Sequence, residues 1–83
     1  MEETIRILLA RRIRALRRKR GWSQEGLADY SGLHRTYIGS IERAERNFTV
    51  DTLEKLAVAF GISVYELVDI PNCALEEAGT EIS

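Results

Sequence analysis

The chain has 83 residues, of which 45% are hydrophobic and 30% charged, so it is long enough for one small domain with a single core. Its one cysteine, Cys73, excludes an intrachain disulfide and a metal cluster of Cys and His, and we expect a free thiol in a reducing cytoplasm. No signal peptide is predicted, and no apolar run approaches the roughly 20 residues of a membrane span.

The charges are distributed unevenly along the chain, although the net charge is −1. Residues 1–46 carry eleven Lys or Arg against six Asp or Glu, a net of +5, and residues 47–83 carry one Lys against seven acids, a net of −6. A basic half favours a module that presents one face to phosphates. The alternative for the arginines between positions 11 and 20 is a solvated helix face.

The first predicted helix runs from about Glu3 to Lys19, and Gly21 ends it. Its apolar positions recur at spacings of four, four and three residues, which is one stripe of a 3.6-residue period. The stripe consists of Ile5, Leu9, Ile13 and Leu16. We expect it to face the core.

Two short helices follow, joined by a tight turn. The second helix is capped by Ser23 and runs to about Tyr30, and Gly32 supplies the turn with a positive φ angle. The third helix runs from about Arg35 to Arg43. The inward residues of the pair are Leu27, Ala28, Ile38 and Ile41. A short polar helix start, held by a buried partner helix, is suited to reach base edges in the DNA major groove, so the pattern predicts a helix-turn-helix.

A fourth helix begins near Thr49, carries apolar residues at helical spacing and ends at Gly61. Ser63 and Glu66 have the spacing of a capping box, which opens a fifth helix. This helix is predicted to end before Pro71.

The remaining residues, 72–83, form an acidic tail that is either disordered or a short further turn of helix. No strand pattern and no repeat is visible. The predicted fold is therefore all-α, with a five-helix DNA-binding and dimerisation domain over residues 1–71 and the helix-turn-helix at its second and third helices.

No enzyme is predicted. His34 is the one histidine, and its expected role is to cap the third helix. A nucleophile beside it would have to be Ser40 or Cys73, and neither has a supporting motif. No cofactor, metal or small-molecule ligand is expected.

The third helix carries residues suited to reading bases. Arg35, Thr36 and Ser40 share one face, because positions 36 and 40 are one turn apart and 35 precedes them. Arginine bonds guanine O6 and N7, and the threonine methyl contacts a thymine methyl. No acidic residue within four positions before Arg35 neutralises it. Gly39 indicates either close packing on the second helix or close approach to DNA.

Other polar residues flank this face. Gln24 begins the second helix, where the helix dipole favours a phosphate. Arg43, Arg46 and Asn47 follow the third helix and are predicted to contact phosphates, with a solvated loop as the alternative. Glu42 opposes the dipole at the end of the third helix, and Arg17 is its expected partner.

These residues resemble a known family. Residues 17–46, 52–57 and 61–63 are similar to the Xre-type repressor domain of lambdoid phage repressors. Within them, GLHRTYIGSIER at positions 32–43 looks most like the controller proteins of restriction–modification systems, which are small dimeric regulators.

The resemblance implies a lambda-repressor-like fold, double-stranded DNA as partner and a homodimer formed through the fifth helix. It implies base contacts from Arg35 and Thr36 and a buried ion pair between Arg17 and Glu42. The phosphate contacts that it implies are Gln24, Tyr37, Ser40, Arg43, Arg46 and Asn47.

Two residues depart from the family pattern. Ala44 stands where a helix-ending Gly is usual, and Phe48 stands where many relatives have Pro. Ala44 therefore predicts either a strained loop or a longer third helix.

The fifth helix is the predicted dimer surface. Val64 and Leu67 are expected to complete the core, which leaves Tyr65 and Val68 partly outward, with Ile62 beside them. The predicted interface comprises Ile62, Val64, Tyr65 and Val68.

The leading hypothesis is a homodimeric, sequence-specific transcription regulator that binds a palindromic operator and controls a restriction–modification system. The alternative is a phage-type or antitoxin-like autorepressor whose protein partner uses the acidic tail. A protein-interaction domain without DNA binding would carry acidic or apolar residues on the third helix, and Arg35, Thr36 and Ser40 argue against that.

Overall fold

The computed structural model describes residues 2–69, with side chains from Ile5 to Asp69. This part of the chain is all helical and has no strand, which confirms the predicted fold class. The helices are α1 (Glu2–Lys19), α2 (Gln24–Ser31), α3 (Arg35–Glu42), α4 (Val50–Phe60) and α5 (Val64–Leu67). None of them combines the length and apolar character needed to cross a lipid bilayer. The predicted acidic tail, including Cys73, lies outside the described residues.

Polar caps begin the short helices where the sequence predicted them. The hydroxyls of Ser23 and Thr49 each accept from the backbone N–H three residues further on. Ser63 and Glu66 form both bonds of the capping box at α5. His34 caps α3 through Nδ1, which accepts from the Thr36 N–H at 3.2 Å.

The turn between α2 and α3 depends on Gly32, whose φ of +75° lies in the left-handed region that favours glycine. Its N–H donates to the Ala28 carbonyl and closes α2. A side chain at this position would be strained, so the tight turn requires glycine.

Helix α3 ends on an alanine in the left-handed conformation. Ala44 has φ +60°, its N–H donates to the Ile41 carbonyl, and the Glu45 N–H donates to the Ser40 carbonyl at 2.9 Å. This is the bonding pattern with which glycine usually ends a helix. Of the two expectations for Ala44, the strained loop is right, and α3 does not run longer.

Helix α5 is a single turn. It ends at Leu67, before Pro71 as the sequence predicted. The backbone leaves the helix at Val68. The Arg12 side chain of α1 donates hydrogen bonds to the Leu67 and Glu66 carbonyls at the end of α5. A single turn needs this support, because isolated short helices are unstable in water.

All five helices contribute to one core. The buried cluster consists of Ile13, Leu27, Ala28, Ile38, Ile41, Leu56, Ala57, Phe60 and Leu67. Leu9 is buried as well, but Ile5 is 39% exposed, so its predicted inward position is wrong. The reason is length, since α1 has 18 residues and the helices that pack on it have 11 or fewer.

Trp22, for which no role was predicted, forms an aromatic stack beside this core. Its ring lies 4.3 Å from that of Tyr30 and 5.6 Å from that of Phe60, measured between centroids. The Arg20 guanidinium lies 5.6 Å from the Trp22 centroid, which is a cation–π contact. A lone Trp just after a helix end was the available signal.

Arginines in and just after α1 donate to backbone carbonyls at the carboxyl ends of three other helices. These ends carry unpaired carbonyl groups and a partial negative charge, so a guanidinium stabilises them. The pairs are Arg12 with Leu67 at 2.7 Å, Arg14 with Glu42 at 3.2 Å and Arg20 with Phe60 at 2.6 Å. These three side chains therefore have partners within the chain. The solvated-face alternative holds for Arg11 and Arg18, which are exposed, and Arg20 is exposed as well although it donates to a carbonyl.

Candidate nucleic-acid interface

The helix-turn-helix presents the start of α3 to solvent. Leu27 on α2 and the isoleucines Ile38 and Ile41 on α3 are fully buried, which fixes the angle between the two helices. On the opposite side of α3, Arg35 and Thr36 are exposed. The two predicted base-reading side chains therefore project from a helix that the core holds rigidly.

An open groove of about 610 Å³ lies between the start of α2 and the face of α3. Four predicted DNA contacts line it together, and they are Gln24, Arg35, Thr36 and Arg43. Arg17 and Glu25 also line the groove. Residues from two helices thus converge on one surface, which is what a DNA duplex crossing the motif requires.

Arg35 has an acidic neighbour that the sequence did not indicate. Its Nη1 lies 3.8 Å from Oε2 of Glu25, across the groove on α2. Both side chains are about two-thirds exposed, at 66% and 68%. An ion pair so exposed contributes little to stability, so Arg35 leaves it at low cost.

Ser40 is not on the exposed face with Arg35 and Thr36. It is buried, and its hydroxyl donates to the Thr36 carbonyl at 2.9 Å. Position 40 follows position 36 by one turn, but the end of α3 is covered by α1, as the Arg14 bond to Glu42 indicates. The expectation of an outward Ser40 is therefore corrected.

Gln24 and Gly39 meet at the groove. The Gln24 Nε2 donates to Oε1 of Glu42 at 3.2 Å. A Cβ on Gly39 would lie 3.1 Å from Nη1 of Arg43 and 3.6 Å from Oε1 of Gln24. The Gln24 distance is an ordinary van der Waals contact, and the exposed Arg43 side chain can shift, so packing on α2 does not require glycine at this position. Close approach to DNA stays a prediction.

Tyr37 and Arg46 contact each other and are not among the residues that line the groove. The Tyr37 hydroxyl and Oγ1 of Thr52 are 3.1 Å apart in a hydrogen bond that joins α3 to α4. The Arg46 guanidinium lies 5.6 Å from the centroid of the Tyr37 ring. This contact places Arg46 beside α3, while the neighbouring Asn47 is exposed.

Arg43 is held by a carboxylate of its own loop. Its Nε and Nη2 donate to the two oxygens of Glu45 at 3.0 and 3.2 Å. The hydrogen bond from Arg43 lowers the pKa of the Glu45 carboxyl. Both side chains are 55% exposed, so solvent screens this pair and a phosphate can replace the carboxylate.

Arg17 and Glu42, which the sequence paired, lie together below the groove. The Arg17 Nε donates to Oε2 of Glu42 at 2.6 Å and its Nη2 donates to Oε1 at 3.0 Å. The Glu42 side chain is fully buried and that of Arg17 is 11% exposed. Nε of Arg14 lies 3.5 Å from Oε1 of Glu42, and the Arg14 side chain is 41% exposed.

The charge of Glu42 is stabilised despite its burial. Burial raises the pKa of its carboxyl, but the hydrogen bonds from Arg17 and Gln24 and the charges of Arg17 and Arg14 outweigh that effect. The pKa of Glu42 therefore lies below its ordinary value, and the bond to Glu42 raises the pKa of Arg17. This cluster links α1, α2 and α3.

A second surface surrounds α5. Leu67 is fully buried, Ile62 and Val64 are half-buried against the core, and Val68 is half-buried. Tyr65 is 86% exposed. Val58, near the end of α4, is a further exposed apolar side chain, at 77%.

Comparisons with known proteins agree with this architecture. A helix-turn-helix family model matches residues 13–67. Control protein C.SmaI of Serratia marcescens is 53% identical over 64 residues, which are 77% of this chain and 76% of that protein. Control protein C.BamHI of Bacillus amyloliquefaciens is 43% identical over 77 residues, 88% of this chain and 95% of that protein.

A solved structure gives the same result. The restriction–modification controller protein C.AhdI from Aeromonas hydrophila superposes with a TM-score of 0.72 at 44% identity, covering 75% of this chain and 94% of its own. The chain therefore belongs to the Xre-type helix-turn-helix family of DNA-binding transcription regulators, and its similar proteins include controllers of restriction–modification systems.

Proposed function

We propose that this protein is a sequence-specific transcription regulator that binds a palindromic operator as a homodimer and controls a restriction–modification system. One observation carries the proposal. Arg35 and Thr36 project from the start of a helix whose far side is buried and whose end is tied to α1 by the Arg17–Glu42 pair. A rigid, polar helix start is the element that reads a major groove.

Base readout is assigned to Arg35 and Thr36. The guanidinium of Arg35 is free to leave Glu25 and to donate two hydrogen bonds to O6 and N7 of a guanine. Thr36 offers a methyl group to thymine and a hydroxyl to either base pair. Each half-site therefore contains at least one base pair that Arg35 selects.

The phosphate contacts are assigned to side chains on both sides of this tip. They are Gln24, Tyr37, Arg43, Arg46 and Asn47. Ser40 is omitted, because its hydroxyl is buried and already donates to Thr36. Arg43 and Arg46 supply the positive charges, so binding should weaken as salt rises.

The homodimer is assigned to the surface of α5. Tyr65 is a large side chain that is 86% exposed in a single copy, with the half-buried Ile62, Val64 and Val68 as further members. A two-fold axis through this surface would cover the same patch on both copies. The proposal requires that the same axis place two recognition helices in successive major grooves.

The link to restriction–modification is supported by the similarity to C.SmaI, C.BamHI and C.AhdI, each of which is matched over three quarters or more of its own length. A regulator of this kind would act in the cytoplasm. The antitoxin-like alternative drew on the acidic tail, which lies outside the described residues.

A mobility-shift titration tests the proposal. The probe is the DNA upstream of the protein's own reading frame, with a scrambled duplex of the same length and composition as control. We expect tight binding to the first duplex, typically 10³-fold or more over the second, and a two-fold symmetric footprint with half-site centres about 34–36 Å apart. Equal affinity for both duplexes on every candidate promoter would contradict sequence-specific regulation.

A further inference from the structure

The helix that carries the proposed dimer surface cannot hold its own shape. Helix α5 has four residues, from Val64 to Leu67, and it presents the 86% exposed Tyr65. Helices shorter than about 12–15 residues are marginal in water, so contacts from elsewhere in the chain must determine its orientation.

Two of these contacts fix the start and the inner side of α5. Ser63 and Glu66 close the capping box at its amino end. Leu67 inserts into the core and is fully buried. A one-turn helix with these two attachments still has free carbonyl groups at its carboxyl end.

Arg12 supplies the third contact, and it comes from the other end of the chain. Its Nε donates to the Leu67 carbonyl at 2.7 Å and its Nη2 donates to the Glu66 carbonyl at 2.6 Å. Two charged donors on adjacent carbonyls hold α5 against rotation as well as displacement, because the guanidinium is planar and α1 is rigid. Its positive charge also complements the helix dipole.

The groups that hold the DNA-facing helices are different ones. Helix α3 is tied to α1 through Arg17 and Glu42, and to α4 through Tyr37. Within the described residues, the hydrogen bonds of the Arg12 side chain go to the end of α5. Loss of Arg12 should therefore disturb the dimer surface and leave the helix-turn-helix intact.

We propose that Arg12 is a positioning residue for self-association, which holds α5 so that Tyr65 meets a second copy of this chain. The inference rests on the proposed homodimer. It names the Arg12 guanidinium as the group that keeps the dimer surface in place. Arg12 does not itself need to touch the partner.

The variant that tests it is Arg12→Met, which keeps an aliphatic side chain and removes all donors. Arg11→Met is the matched control, because Arg11 is the exposed neighbour on α1 and makes no side-chain hydrogen bond to the rest of residues 5–69. The dimer dissociation constant is measured by sedimentation equilibrium at a low temperature where Trp22 fluorescence shows each variant fully folded.

We expect Arg12→Met to raise the dimer dissociation constant about tenfold or more, from the loss of two charge-assisted hydrogen bonds. Arg11→Met should leave it unchanged. Arg12→Lys should give an intermediate value, since one ammonium group can still donate to a carbonyl. A purely stabilising role would lower the melting temperature but would not change the association of fully folded chains.

The possible failures are distinct. Wild-type protein that stays monomeric at high concentration would overturn the homodimer and this inference with it. Wild-type protein that dimerises, with Arg12→Met dimerising equally well, would overturn the role of Arg12 alone. If Arg12→Met does not fold, Arg12→Lys decides, and wild-type association in that variant counts against the proposal.

Discussion

Arg35 combines high exposure with a weak internal partner, and both properties suit a side chain that reads bases. At 66% exposure and 3.8 Å from Glu25, it is oriented across the groove without being fixed there. The exposed ion pair is screened by water and salt, so exchanging it for a guanine costs little. Arg46 differs, because its guanidinium lies 5.6 Å from the centroid of the Tyr37 ring, and we propose it as a phosphate contact.

Substitution of these two arginines should separate specificity from affinity. Arg35→Ala should weaken operator binding by roughly 1–3 kcal/mol and relax the preference at one base pair in each half-site. Arg46→Ala should weaken operator and scrambled DNA alike and lower the salt slope by about one unit per subunit. Binding of both variants is measured against salt on both duplexes. An Arg35→Ala variant that loses the same affinity on each DNA would make Arg35 a phosphate contact.

The left-handed backbone conformation of Ala44 should lower the stability of the fold. Its φ of +60° costs an alanine about 1–2 kcal/mol relative to glycine, while glycine would lose about 0.4–1 kcal/mol through the freedom of the unfolded chain.

Ala44→Gly should therefore raise the free energy of unfolding by up to about 1.5 kcal/mol. The control is Ala15→Gly, the same chemical change in the exposed interior of α1, which should lower it by about 1 kcal/mol. Urea melts followed by Trp22 fluorescence measure both. A loss of stability in Ala44→Gly would mean that the left-handed alanine is not strained.

The connection between α1 and α3 depends on a buried carboxylate in an unfavourable place. Glu42 ends α3, where its negative charge opposes the helix dipole, yet it is fully buried. Arg17 and Gln24 compensate by donating to its oxygens, and Arg14 donates to its carbonyl. The cluster orients the recognition helix relative to two other elements.

Removal of the Glu42 carboxylate should lower the free energy of unfolding more at neutral pH than in acid. Glu42→Ala leaves Arg17 unpaired and should lower the free energy of unfolding by about 3 kcal/mol at pH 7. The folded-state pKa of Glu42 lies below its unfolded value of about 4.3, so its contribution is present above that pH and is lost as pH falls through the folded pKa. The difference between variant and wild type should therefore shrink below about pH 4.

Urea melts at a series of pH values measure this difference. Glu54→Gln, on the exposed side of α4, is the control and should stay within about 0.5 kcal/mol of wild type throughout. A loss equally small in Glu42→Ala would show that the ion pair does not support the fold.

Across the described residues, the groove between α2 and α3 is lined by Arg35 and Arg43, whereas the exposed Tyr65 lies on α5. Arg12, Arg14 and Arg20 donate to carbonyls at the ends of α5, α3 and α4. The proposed DNA-binding and dimer surfaces therefore consist of different residues.

A charge on the α5 surface should prevent the dimer without unfolding the chain. Tyr65→Asp changes an 86% exposed side chain, so the core is untouched and a monomer should form at micromolar concentration. Val50→Asp is the control, because Val50 is 73% exposed on the first turn of α4, at the opposite end of that helix from α5. Sedimentation distinguishes the two, and a Tyr65→Asp variant that remains dimeric would place the interface elsewhere.

The sequence by itself determined the helices, their caps and the position of the helix-turn-helix. Capping residues such as Ser23 and Ser63, and the turn at Gly32, act within three or four positions, so the signal and its effect are adjacent in the chain. The period of apolar residues identified the buried sides of α2, α3 and α4 for the same reason. The Arg17–Glu42 pair was accessible because a carboxylate at a helix end requires a compensating charge.

The tertiary structure decided which polar side chains are free. Burial of Ser40, exposure of Ile5, and the Glu25 neighbour of Arg35 depend on which surfaces the helices cover. The arginines in and just after α1 look alike in sequence. In the structure, Arg12, Arg14 and Arg20 donate to carbonyls of three different helices, because each lies over a different helix end. Such contacts join residues up to 55 positions apart, and no local pattern encodes them, because their geometry exists only once the helices have packed.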